Sequence, residues 1–347
     1  MHVMFEQIGV QLPIVQAPMA GVQDAALVIA VCKAGGLGSL PCAMLTPEMV
    51  ESEVNRIRAA TSNPFNLNFF CHSMPEVTDS ELSDWSALFA ADYQKYGIDE
   101  YSINYGSVRR PFSAEFAEVV KRVKPAVVSF HFGLPSHALL AEVRESGALI
   151  FSSATTVTEA IWLEEQGVDA IIAQGVEAGG HRGIFLMDDL SSQLPTQQLL
   201  KEIVERVKVP VIAAGGVGSA QYVKALIDLG ASAVQIGTSF LLCDEAKTSQ
   251  LHREALAASN TPNTVITNIF SGRPARGIVN GMVEKLGAWN RQAPSFPYAT
   301  PASAPLRSAA EALSCADYTP LWSGTNTAGC KAISAELLTR ELVSKLG

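Results

Sequence analysis

Eight short runs rich in β-branched and aromatic residues recur between positions 14 and 238: IVQAP (14–18), GLGSL (36–40), FNLNFF (65–70), AVVSFHF (126–132), ALIFSS (148–153), AIIAQG (170–175), VPVIAAG (209–215) and AVQIGT (233–238). Helix-like segments separate most of them. TVTEAIWLEEQG precedes the sixth run and SAQYVKALIDLG the eighth, and each ends in a glycine suited to the left-handed residue that closes a helix. A strand, a helix and a further strand joined by a right-handed crossover build a parallel sheet. Eight such units favour closure into a (β/α)8 barrel, a TIM barrel of the α/β class, over an open sheet.

The rhythm breaks in two places. Residues 71–125 exceed what one crossover needs, and 76–100, with PEVTDSELSDW and several aromatics, are expected to add helices near the barrel mouth. Beyond the eighth run come an apparent helix (AKTSQLHREALAAS), the Thr- and Asn-rich TPNTVITNIFSGRPARG and the Pro-rich APSFPYATPASAP. The expected organisation is a barrel over 1–245 with an insertion around 76–100, a smaller, mostly helical cap over 246–308, and a segment 309–347 that returns to the barrel. Apolar residues make up 48% of the chain, enough for a large core. Lys plus Arg number 25 against 34 Asp plus Glu, a net charge of −9 that argues against nucleic acid and anionic membranes as partners and favours a small molecule. No apolar run approaches the roughly 18 residues of a membrane span. The six cysteines form no C-x-x-C pair and MHVMFEQIGVQLP is too polar for a secretory signal, so no disulfide framework or zinc site is expected. A reduced, cytoplasmic protein is therefore expected.

In a barrel of this kind the chemistry sits at the C-terminal ends of the strands. The residues there are Pro18, Met19, Asn68, His131, Gln174, the turn with Gly179, Gly180 and His181, the turn with Gly215, Gly216 and Gly218, and Gly237 with Thr238. AAGGVGSAQ (213–221) ends a strand in glycines just ahead of a helix, and QIGTSF (235–240) repeats the arrangement. Glycine lets backbone N–H groups approach a phosphate, and the helix dipole favours its charge. Gly216-x-Gly218 is followed by Gln221 where a dinucleotide fingerprint needs a third glycine, and no G-x-x-x-x-G-K-[ST] occurs. In QGVEAGGHRG (174–183), the missing β-carbons at Gly179 and Gly180 admit a planar group close to the backbone, and His181 can act near neutral pH. His131, in SFHFG, faces the same mouth. The His131–His137 spacing fits no zinc pattern, so no metal is expected. Cys71 is expected to pack, and His2, His72, His137 and His252 to take surface or packing roles.

These residues belong to a larger set: QAPMAG (16–21), AGGLGSL (34–40), NPFNLNFF (63–70), VVSFHFGLP (127–135), QGVEAGGHRG (174–183), AAGGVG (213–218), QIGTSFL (235–241) and DYTPLWSG (317–324). In that order they resemble the nitronate monooxygenases, formerly called 2-nitropropane dioxygenases, of the larger bacterial class, over nearly the whole chain. The resemblance implies FMN held noncovalently on a TIM barrel, and oxidation of alkyl nitronates such as propionate 3-nitronate by molecular oxygen to carbonyl compounds and nitrite. It implies FMN contacts from Asn68, Gln174, Gly179, Gly216, Gln235, Ile236, Gly237 and Thr238; strand-end position adds Pro18, Met19, Gly180, Gly215 and Gly218. His181 matches the family's active-site histidine and His131 a second histidine near the substrate. His181 would donate to nitronate oxygens, or act as base towards a neutral nitroalkane. The amides of Asn68 and Gln174 suit the polar edge of the flavin ring. Tyr298 and Arg307 are the cap's polar candidates. An FMN-dependent NAD(P)H oxidoreductase acting on enoyl thioesters or quinones is the competing expectation on the same barrel.

Overall fold

Each of the eight runs forms a strand in the computed structural model, which describes residues 2–106 and 108–346. They are β1 (Ile14–Gln16), β2 (Gly38–Pro41), β3 (Phe65–Phe70), β4 (Val127–His131), β5 (Leu149–Ala154), β6 (Ala170–Gln174) and, after a two-residue β7 (Gly180–His181), β8 (Val211–Ala214) and β9 (Ala233–Ile236). The eight long strands pair in parallel in the order β1-β9-β8-β6-β5-β4-β3-β2. A parallel bridge between Val15 and Leu37 joins the two ends, so the sheet closes into a TIM barrel.

Side chains alternate across a strand, and this sorts the interior into layers. Val127, Phe151, Ala170, Ile212 and Ala233, from the first three residues of their strands, pack together at the N-terminal end, where Phe5 of the helix Val3–Gln7 plugs the barrel, fully buried. Its ring meets Phe151 edge-on at 6.0 Å between centroids. Burying such a side chain contributes about 2 kcal/mol. Above it lies a polar layer in which Asn66 Nδ2 donates to Ser39 Oγ at 3.0 Å and to Ser129 Oγ at 2.8 Å. Two residues further along the strands, Asn68, His131, Ser153, Gln174 and Gln235 line a cavity at the mouth.

A second apolar core sits over that mouth. It joins Trp85, Phe89 and Tyr93, from the helices Asp79–Ala87 and Ala90–Tyr96, to Ile269, Phe270, Met282, Leu306 and Tyr318. The boundaries expected at 245 and 308 therefore cut across it: the insertion contributes to the cap, and the helix Thr300–Ala312 runs through position 308. Helices are not the whole of the cap. Strands β10 (Thr264–Thr267) and β11 (Ala275–Ile278) pair antiparallel, and β11 pairs in turn with β7, setting Ala275 opposite His181. The helix Ala335–Leu342 returns to the barrel through Ala335, Leu338 and Leu342. Among the described residues no helix is long and apolar enough to cross a membrane.

Candidate active site

The cavity at the C-terminal mouth collects almost every residue singled out from the sequence: Pro18, Met19, Asn68, His131, Gln174, Gly179, Gly180, His181, Gly215, Gly216, Gln235, Ile236, Gly237 and Thr238. Gly218 is the exception. A β-carbon there would lie 2.8 Å from the Asn326 side chain, so its smallness serves packing of the C-terminal segment. Tyr298 and Arg307 do not line the cavity, and Arg307 pairs with Glu311 at 2.7 Å. Residues missed from the sequence are Phe70, Arg109, Ser153, His252, Trp322 and Asn326. Ser153 ends the fifth run, where the alternation that turns His131 inward does the same for it. Trp322 stands in the DYTPLWSG motif, whereas nothing around Arg109 signalled a role.

The carbonyl of His181 organises the turn. It accepts from Gln174 Nε2 at 2.9 Å and from His131 Nε2 at 3.2 Å. Gln174 Oε1 in turn accepts from the Gly183 N–H at 2.8 Å, so this amide clamps the turn at both ends. A carbonyl only accepts, which fixes the proton of His131 on Nε2 and leaves Nδ1 to accept from Ser153 Oγ at 2.6 Å. Both His131 nitrogens are thus engaged by protein, and the ring lines the cavity while supporting the turn that carries His181. Burial, with the Arg273 charge second, lowers its pKa to about 3. Arg182 is completely buried and donates to the Gln174 and Gly175 carbonyls at 2.8 Å each and to Gln193 Oε1 at 2.6 Å. Burial brings its pKa down to about 9. It ties the turn to the end of β6.

His181 has a different environment. Its ring is walled by Phe70, Phe132, Phe296 and Trp322, with centroids 5.5–6.1 Å away. Nε2 meets Ser271 Oγ at 2.8 Å, while Nδ1 has no hydrogen-bond partner among the described residues. Burial, then the charge of Arg109, holds its pKa well below the usual 6.5, so the ring is neutral at pH 7. No Asp or Glu lines the cavity among the described residues, whereas Arg109 does. Arg273 sits near by, its guanidinium 4.0 Å over the Phe132 ring. Phe132 itself holds a φ of 71°, costly for a bulky residue and here seating its ring between His131 and Arg273.

The glycine turns divide into two kinds. Gly215 and Gly216 have φ values of 127° and 69°, which an L side chain rarely adopts. Among the described residues the N–H groups of Gly216, Val217 and Gly237 find no acceptor in the chain. The side-chain oxygen of Gln235 is buried without a partner. An anion with a hydrogen-bonding ring system would satisfy these groups. Gly179 is of the other kind: a β-carbon there would come within 2.4 Å of Gly324 N and 2.5 Å of Ser323 C. On that side it admits the backbone of the C-terminal segment, while the residue itself lines the cavity. Gly180, with φ 72° and nothing within 4 Å of its missing β-carbon, keeps open space beside His181.

Comparison with known proteins adds to this geometry. The family model described as nitronate monooxygenase matches residues 2–346. A nitronate monooxygenase from Paraburkholderia phytofirmans is 38% identical over 98% of this chain and 93% of its own length. One from Pseudomonas aeruginosa is 35% identical over 98% and 97%. The solved structure of a nitroalkane oxidase from Streptomyces ansochromogenes superposes with a TM-score of 0.90 at 34% identity, covering 99% of this chain and 97% of that one.

Proposed function

Because the chain belongs to the nitronate monooxygenase family, we propose that it is a flavoenzyme that binds FMN without covalent attachment and uses molecular oxygen to convert alkyl nitronates, of the propionate 3-nitronate type, into carbonyl compounds and nitrite. The observation that carries this reading is the sharing of one cavity by the two glycine turns after β8 and β9, the unpartnered Gln235 and His181. The residues present fit FMN: the N–H groups of Gly216, Val217 and Gly237 would hold the phosphate, with the Thr238 hydroxyl beside them. Asn68 donates its Nδ2 to Ser129 Oγ at 2.9 Å, so its Oδ1 and the free amide of Gln235 would meet the polar edge of the ring. The chemistry such a flavin supplies is acceptance of an electron from an electron-rich carbon and its delivery to oxygen.

The chain's own groups prepare the other reactant. A nitronate is an anion, and the Arg109 guanidinium in a cavity without carboxylates offers it a charge-assisted partner. His181 stays neutral, so the attraction comes from arginine. The aromatic wall and the cap exclude water from around the anion, strengthening that attraction. Anaerobic mixing of the purified, flavin-loaded protein is the test. Bleaching of the flavin by propionate 3-nitronate, followed by oxygen uptake and nitrite release when air is admitted, is expected. Bleaching by NADH or NADPH with no response to the nitronate would favour the reductase, and a colourless protein that takes up no FMN would exclude both.

A further inference from the structure

Ser271 lies outside the cavity lining and is 2% exposed, yet its hydroxyl touches the one catalytic candidate whose chemistry depends on where a proton sits. His181 Nε2 and Ser271 Oγ are 2.8 Å apart, and Ser271 Oγ lies 3.3 Å from the Arg273 carbonyl. The hydroxyl has one hydrogen to donate, and the carbonyl only accepts. A single arrangement satisfies both contacts: Ser271 donates to the Arg273 carbonyl and accepts from Nε2–H of His181. The reverse arrangement leaves that carbonyl without the hydroxyl, a loss because Ser271 is buried.

From this geometry we infer that Ser271 is a positioning residue that fixes the proton of His181 on Nε2, leaving Nδ1 as a bare acceptor towards the cavity and able to take the α-proton of a neutral nitroalkane. The step is balanced. The α-C–H bond breaks, its electron pair moves into the nitro group to give a nitronate, and the proton forms an N–H bond at Nδ1. The imidazolium so formed keeps its Nε2–H on Ser271 until the proton leaves to solvent. Nothing is oxidised. The negative charge develops beside Arg109 and Arg273, the two guanidinium groups that disfavour a charged His181 in the resting site. The inference rests on the reading that nitronates are turned over in this cavity, and adds to it the residue that sets which ring nitrogen of His181 is free to accept a proton.

The test has two arms. In protein labelled with 15N-histidine, NMR of the flavin-loaded enzyme is expected to show His181 as the Nε2–H tautomer, and Ser271→Ala is expected to lose that preference. In steady-state kinetics the ratio of kcat/KM for nitroethane to that for preformed ethyl nitronate is expected to fall about tenfold or more in Ser271→Ala, less than the roughly hundredfold or more that a general base itself contributes because Ser271 acts only through the base, while Ser271→Thr restores most of it. A wild-type Nδ1–H tautomer, no turnover of nitroethane by the wild type, or an equal loss on both substrates would each overturn the inference. The NMR arm reads the tautomer whether or not nitronates are substrates, so its failure is separable from failure of the proposed function.

Discussion

His131 shows how much of this site is support. Its ring lies between Ser153 and the His181 carbonyl, half-buried and neutral, and its pKa of about 3 has a consequence for stability. The folded value lies below the ordinary 6.5. As pH falls through 6.5, the unfolded chain takes up a proton that the native chain refuses, so stability falls and goes on falling towards about 3. Each such histidine contributes a slope of at most about 1.4 kcal/mol per pH unit. Urea unfolding at pH 7 and pH 5 is expected to show His131→Asn less stable than wild type at pH 7, but with a shallower decline by up to that amount; equal slopes would contradict the assignment. From sequence His131 and Gln174 were legible as residues of the mouth. Their duties were not, because a hydrogen-bond clamp between Gln174, His181 and Gly183 becomes visible only once the turn is folded.

At the scale of elements, the turn 176–183 joins barrel and cap. β7 is hydrogen-bonded to β11, and Gly179 lets the 317–324 segment cross it. Thr238 Oγ1 accepts from the Gly324 N–H at 3.0 Å, so the same segment also reaches the turn after β9. Gly179→Ala would press a methyl group into backbone at 2.4 Å, whereas Gly180→Ala meets open space and only an unfavourable φ. Thermal unfolding is expected to show Gly179→Ala destabilised by about 2–3 kcal/mol and Gly180→Ala by about 1 kcal/mol. The opposite ranking would place the close approach at the wrong glycine. Both residues look alike in the sequence. A glycine advertises that something passes close to it, and what passes here at Gly179 and Gly218 is chain from more than a hundred positions away.

For the molecule as a whole, the barrel was legible because its signal is local: short β-branched runs, amphipathic helices and closing glycines repeat along the chain. The cap was less so, since its core joins the 79–96 helices to residues around 265–318 through contacts that leave no periodic trace. The C-terminal segment connects the two bodies and adds Trp322 and Asn326 to the cavity. All of this serves one spatial claim: that the mouth holds FMN with its phosphate on the turns after β8 and β9 and its ring beside His181. A crystal structure of the protein grown with FMN tests it most directly. The phosphate is expected on the N–H groups of Gly216, Val217 and Gly237, with Gln235 on the ring's polar edge; a phosphate bound away from both turns, or a ring remote from His181, would contradict the claim.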